Sequence, residues 1–138
     1  MNRLNQNSLL NAAKYSLAFL WIFTGLTSIY FSPEIGYEIL AGVNITGSIA
    51  DLSVYAGGVL DIAIGLWLIT SFKTKLCCIS QVVVIIVYTI LLTFIDASFW
   101  LHPFGPITKN FPIIVLVGYV YIASGNGNLM PPKSMHNN

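Results

Sequence analysis

Charge is scarce in this sequence. Its 138 residues hold six basic and five acidic side chains, 8% of the total, where a soluble domain carries about 25%. So few charges leave most of a folded surface apolar, which excludes an ordinary water-soluble enzyme. A hydrophobic content of 56% excludes a disordered chain as well. The formal net charge of +1 offers no footprint for a phosphate backbone, so no nucleic-acid partner is expected. Cysteine is nearly absent. Cys77 and Cys78 are adjacent and have no second pair, so neither a disulfide framework nor a relay of spaced cysteines is available. The two histidines, His102 and His136, fall on opposite sides of the topology derived below and cannot ligate one haem. No glycine-rich nucleotide motif and no metal-ligand spacing is present. The chain therefore has no self-sufficient catalytic or redox constellation, no intrinsic cofactor and no metal site.

Long uncharged runs stand in place of those features. Between Lys14 and Glu34 lie 19 uncharged residues, between Lys75 and Asp96 lie 20, and between Lys109 and Lys133 lie 23. The 21 residues from Leu52 to Phe72 contain one charge, Asp61. A helix rises about 1.5 Å per residue, so about 20 residues cross a hydrocarbon core of about 30 Å. The runs lack the period-two alternation of a membrane barrel. The expectation is an all-α, four-transmembrane-helix bundle in the lipid bilayer, with spans near 10–31, 49–71, 76–95 and 111–128. It forms a single integral membrane domain over 1–138, with a poorly ordered polar tail at 126–138.

Lys and Arg set the expected orientation. Arg3, Lys14, Lys73, Lys75 and Lys133 fall on one side of four crossings. Glu34, Glu38, Asp51 and Asp96 fall on the other, where Lys109 is the lone base. The positive-inside rule then places both termini in the cytoplasm. The first apolar run is too long for a secretory signal and lacks a small-residue cleavage pattern, so it reads as an uncleaved anchor. In the first external loop, Ser32-Pro33-Glu34 reads as N-cap, N1 proline and first-turn acid of a short helix ending near Gly42. Ile35, Ile39, Leu40 and Val43 share one face of it, which suits an amphipathic helix on the membrane surface.

Asp61 is the most informative residue. A carboxyl at mid-span costs roughly 2.5–3.5 kcal/mol to insert, so it must face protein or trapped water. Ala50, Val54, Gly57, Gly58, Asp61 and Gly65 fall on one stripe of the second span, and glycines at that spacing let another helix approach closely. Gly25 is the matching small residue on the first span. Asp61 is thus expected on the packing face, either as a proton or ligand site or as a structural carboxyl. Thr24 lies at its depth on the first span; Tyr88 and Gln81 share a face of the third. Asp61, Tyr88, Gln81 and Thr24 form the expected polar interior.

The second external segment runs from Ser98 to Pro112. Its three prolines, Pro103, Pro106 and Pro112, forbid a continuous helix, and its apolar character places it in the interface or re-entering the bundle. Asn110 reads as the N-cap of the last span. Lys109 beside it is either a small anion- or carbonyl-binding site or a lysine snorkelling to the headgroups. His102 reads as an interfacial hydrogen-bonding residue at the same mouth, with no second ligand spaced for a metal.

Three features together resemble the DoxX-like family of small four-helix bacterial membrane proteins. They are the stripe Gly58-Val59-Leu60-Asp61-Ile62-Ala63-Ile64-Gly65-Leu66, the block Trp100-Leu101-His102-Pro103-Phe104-Gly105-Pro106 continuing to Lys109-Asn110-Phe111-Pro112, and Trp21 with Gly25-Leu26. The likeness covers about residues 12–124. His102 stands where the family often has an acid, so no acid-based role transfers there. The wider group is named after a membrane subunit associated with a quinone-reducing thiosulfate oxidoreductase. The resemblance therefore implies a bacterial inner-membrane protein that binds a quinone or other lipophilic small molecule between helices around Asp61. Its implied partner is an oxidoreductase subunit or a second copy of the chain. Two alternatives stay open: a small proton-coupled transporter using Asp61, and an accessory or scaffold subunit without chemistry of its own.

Overall fold

A computed structural model of the chain describes residues 2–102 and 105–126. It is all-α. Helix α1 (Arg3–Leu26) runs without a break into a π-helical turn, Thr27–Phe31. A short helix α2 (Pro33–Ala41) follows, then α3 (Gly47–Thr70) and α4 (Thr74–Ile95), a 3-10 turn (Ala97–Trp100) and α5 (Asn110–Asn126). The links are short and carry the expected strain-tolerant residues. Gly47 opens α3 at φ 65°, and Ser71 and Lys73 take left-handed φ of 57° and 46° in the tight turn between α3 and α4. The α2 helix has Pro33 in its first turn and Glu34 beside it, and Gly42 caps its end, although the Ser32 side chain makes no capping hydrogen bond.

Helices α1 and α3 form the tightest pair, and small residues make it so. A Cβ on Gly25 would sit 2.5 Å from the Gly58 carbonyl oxygen, and one on Gly65 would sit 2.9 Å from the Ala18 carbonyl oxygen. These contacts bring two backbones together, which is how helices associate where lipid supplies no hydrophobic drive. Helix α5 packs on α4 and α1. Beyond the turn that joins them, α3 and α4 touch each other only sparsely.

The bundle is divided along its length. Its lower half, toward the α3–α4 turn, is densely filled by Leu17, Ala18, Ile64, Leu68, Cys77, Cys78, Gln81, Val117 and Val120, each at most 3% exposed. Gln81 is satisfied there: Trp21 Nε1 donates to its Oε1 at 2.8 Å. Lys14 on α1 donates to Ser71 in the turn. Replacing Gln81 by Leu leaves the Trp21 N–H without its partner and is expected to cost about 1–3 kcal/mol. Thermal unfolding in detergent checks this, and an unchanged midpoint would remove the bond from the account of the core.

Two sequence expectations are revised. Three helices, Arg3–Phe31, Gly47–Thr70 and Thr74–Ile95, are long and apolar enough to cross a membrane among the described residues. The fourth, α5, is apolar but shorter, at 17 residues, or about 25 Å by helical rise. The expected end of that span and most of the 126–138 tail fall at 127–138, outside the described residues. Second, Asn110 is the first residue of α5 rather than its cap. Its side-chain amide donates instead to Thr89 Oγ1 at 2.8 Å and ties α5 to α4.

The proline-rich segment is partly described. Trp100 Nε1 donates to Thr93 Oγ1 at 3.0 Å, and the Trp100 ring meets Phe111 at 6.2 Å. Gly105 N–H donates to the His102 carbonyl at 2.7 Å, and a Cβ at Gly105 would lie 2.3 Å from the Phe99 carbonyl oxygen, so only glycine fits. Ile107 is fully buried under this loop. The 3-10 turn is capped by Asp96, which accepts from Ser98 N–H at 2.8 Å. That backbone hydrogen bond holds the Asp96 carboxyl below its ordinary range. A lowered carboxyl contributes stability above its unfolded pKa of about 3.9 and loses it as pH falls through the folded value. The turn should therefore loosen only in acid, seen as faster hydrogen exchange at the Ser98 amide. Protection that stays constant through this acid range would argue against the cap.

Candidate functional site

The upper half of the bundle, toward α2, is hollow where the lower half is filled. Two chambers occupy it. The larger, about 350 Å³, lies between α1, α3 and α4 and is roofed by Gly36, Ile39 and Leu40 of α2. The smaller, about 230 Å³, lies between α1, α4 and α5 and reaches Pro106, Lys109 and Asn110. They share four residues: Thr24, Asp61, Tyr88 and Leu92.

Asp61 is the floor of both. It is 3% exposed. Its place follows from the stripe on α3, since Gly58 and Gly65 press α1 close while Asp61 lies between them at the point where α3 and α4 part. Tyr88 on α4 donates its hydroxyl to Asp61 Oδ1 at 3.3 Å, a long hydrogen bond. The other carboxyl oxygen receives no hydrogen bond from the described residues. Gly57 sits one residue from the α1–α3 contact and faces elsewhere. A Cβ there would meet the Tyr88 hydroxyl at 3.4 Å, an ordinary contact, and Gly57 lines the larger chamber. Ser28 and Ser53 also line it, but their hydroxyls are spent on the Thr24 and Ile49 carbonyls at 3.0 and 2.8 Å. The remaining walls are apolar.

The sequence-derived residues separate into groups. Asp61, Tyr88 and Thr24 come together, and Lys109 and Asn110 line the smaller chamber with them. Gln81 lines neither chamber; it belongs to the filled half, bonded to Trp21. His102 is exposed and lines neither chamber. Gly25, Gly58 and Gly65 lie in the α1–α3 contact, whereas Gly57 lines the larger chamber. The roof had no sequence signal beyond the amphipathic pattern of α2. It is held by Gly36, whose Cβ position lies 3.2 Å from Val54, and by Tyr37, whose hydroxyl donates to Asp51 Oδ1 at 2.7 Å. That hydrogen bond to a carboxylate pushes the Tyr37 phenol above its ordinary pKa.

The arrangement can seat an apolar molecule and offer its polar end a buried carboxyl. Among the described residues no group of three or more His, Cys, Asp or Glu side chains is placed to hold a metal ion. Cys77 and Cys78 are unbridged thiols buried in the filled half. The sequence model of a family described as DoxX-like matches residues 18–118, which takes in both chambers. No curated protein and no solved structure matches the chain.

Proposed function

We propose that this chain, which belongs to the DoxX-like family, is a four-span membrane protein that holds a quinone or other lipophilic small molecule in the chambers above Asp61. The observation that carries this reading is a carboxyl 3% exposed, lining two apolar chambers, with one oxygen unpaired. A carboxyl buried in a membrane is costly and is kept where it has a partner or a ligand. Asp61, Tyr88 and Thr24 are the inner contacts, and Lys109 and Asn110 the outer ones. In this reading α5 completes the fourth crossing, both termini face the cytoplasm and the protein resides in a bacterial inner membrane. Electrons, if the ligand is a quinone, are exchanged with a partner oxidoreductase subunit, since this chain has no redox pair of its own.

The filled lower half favours binding over carriage. A proton or solute released from Asp61 toward the α3–α4 turn would have to pass Ile64, Leu68, Cys77 and Gln81, all at most 3% exposed. The test is mass spectrometry of lipophilic molecules that co-purify on gentle extraction. Wild type is expected to retain a species that Asp61→Ala loses. The same molecules on both proteins, or none on wild type, would overturn the reading. Proton-linked flux in vesicles that Asp61→Asn abolishes would favour the transporter instead.

A further inference from the structure

The chemistry of the chamber floor narrows the ligand further, and this step rests on the binding role just proposed. Three side chains with polar atoms are left for a ligand where the two chambers meet: Asp61, Tyr88 and Thr24. Tyr88 already directs its proton at Asp61 Oδ1, so toward a ligand its oxygen can only accept. The second oxygen of Asp61 accepts if the group is a carboxylate and donates if it is a carboxylic acid. A ketone or ether head satisfies only the acid form, and an ammonium satisfies only the carboxylate. A hydroxyl satisfies both, because it donates and accepts through one atom. An ammonium meets a second obstacle. Lys109 lines the smaller chamber with Asp61, and a like charge in a poorly solvated space is repulsive. The walls of the larger chamber above the floor are apolar and roofed by Ile39 and Leu40, which suits an alkyl or isoprenoid chain.

We infer that the ligand is an uncharged amphiphile with a hydroxyl head, seated with that hydroxyl between Asp61 and Tyr88 and its apolar chain beneath α2. A matched pair of compounds tests this directly. 4-Nonylphenol and 4-nonylanisole have nearly the same shape and differ in the hydroxyl proton, and native mass spectrometry of the protein in detergent reads their binding. The phenol is expected to bind the wild-type protein at least about tenfold more tightly, the usual scale for leaving a buried polar group unmatched. In Asp61→Leu the ratio is expected to fall below about threefold, while Lys73→Gln in the α3–α4 turn leaves it unchanged. The wild-type ratio decides by itself, so the inference does not depend on a variant folding. Equal binding of phenol and anisole, a preference that survives in Asp61→Leu, or tighter binding of n-decylammonium than of the phenol would overturn the hydroxyl assignment and leave a lipophile site standing. Failure of all three compounds to bind would overturn the site as well.

Discussion

Gly25→Ala is expected to lower stability by about 1–3 kcal/mol, the usual cost of forcing an extra carbon into a packed site. The added Cβ would lie 2.5 Å from the Gly58 carbonyl oxygen and 2.7 Å from Ile62 Cγ1. Ile62 can turn a side chain away. The carbonyl is backbone and can move only if α1 and α3 separate, and these two helices are the closest pair in the bundle. Gly118→Ala on α5 supplies the control, because nothing lies within 4 Å of its Cβ position. It is expected to be neutral or to stabilise by up to about 1 kcal/mol, as alanine does in place of glycine inside a helix. Unfolding of both variants in the same detergent reads the contrast. Equal stability of Gly25→Ala and wild type would mean that α1 and α3 do not touch backbone to backbone.

Gly57→Leu, by contrast, is expected to abolish ligand retention and leave stability close to wild type. Gly57 is next to Gly58 in sequence but not in environment. At Gly58 a Cβ would be 2.4 Å from Ile29 Cγ1 and 3.0 Å from the Gly25 carbonyl oxygen; at Gly57 the nearest atom is the Tyr88 hydroxyl, at 3.4 Å. The first carbon of a leucine is therefore tolerated, and the rest must grow into the larger chamber, of about 350 Å³, beside Asp61. Loss of 4-nonylphenol binding by at least about tenfold, with an unfolding midpoint near that of wild type, is the expected pair of readings. A folded Gly57→Leu protein that binds as well as wild type would place the ligand elsewhere.

Parts of this architecture are legible in the sequence because they obey simple periodicities. Runs free of charge imply helices that meet lipid, and the chain is all-α. The spacing of Gly58, Asp61 and Gly65 implies one face, and the structure turns that face toward α1 and the chambers. Other parts are not legible, for reasons of three-dimensional register. Gln81 and Tyr88 share a face of α4, but seven residues are about 10 Å along a helix, far enough to put them in different layers. Trp21, not Asp61, is what reaches Gln81. Asn110 has the composition of a cap, yet its partner Thr89 is 21 residues away in sequence, and local statistics carry no information about it. The crossing of α1 on α3 rather than α4 follows from which glycines meet, which no single helix reveals.

The π-helical turn at Thr27–Phe31 constrains the chain in a further way. A π turn fits one more residue into the helical ladder than an α turn does. Shortening this stretch by one residue would let α1 continue as an ordinary helix and rotate everything after it by about 100°. Ser32 and Pro33 would then leave on a different heading, and α2 would be swung off Val54 and away from the mouth it covers. Substitutions between 27 and 31 should accordingly be far better tolerated than deletions, with residue number in this stretch acting as the ruler that keeps the cover above the acid.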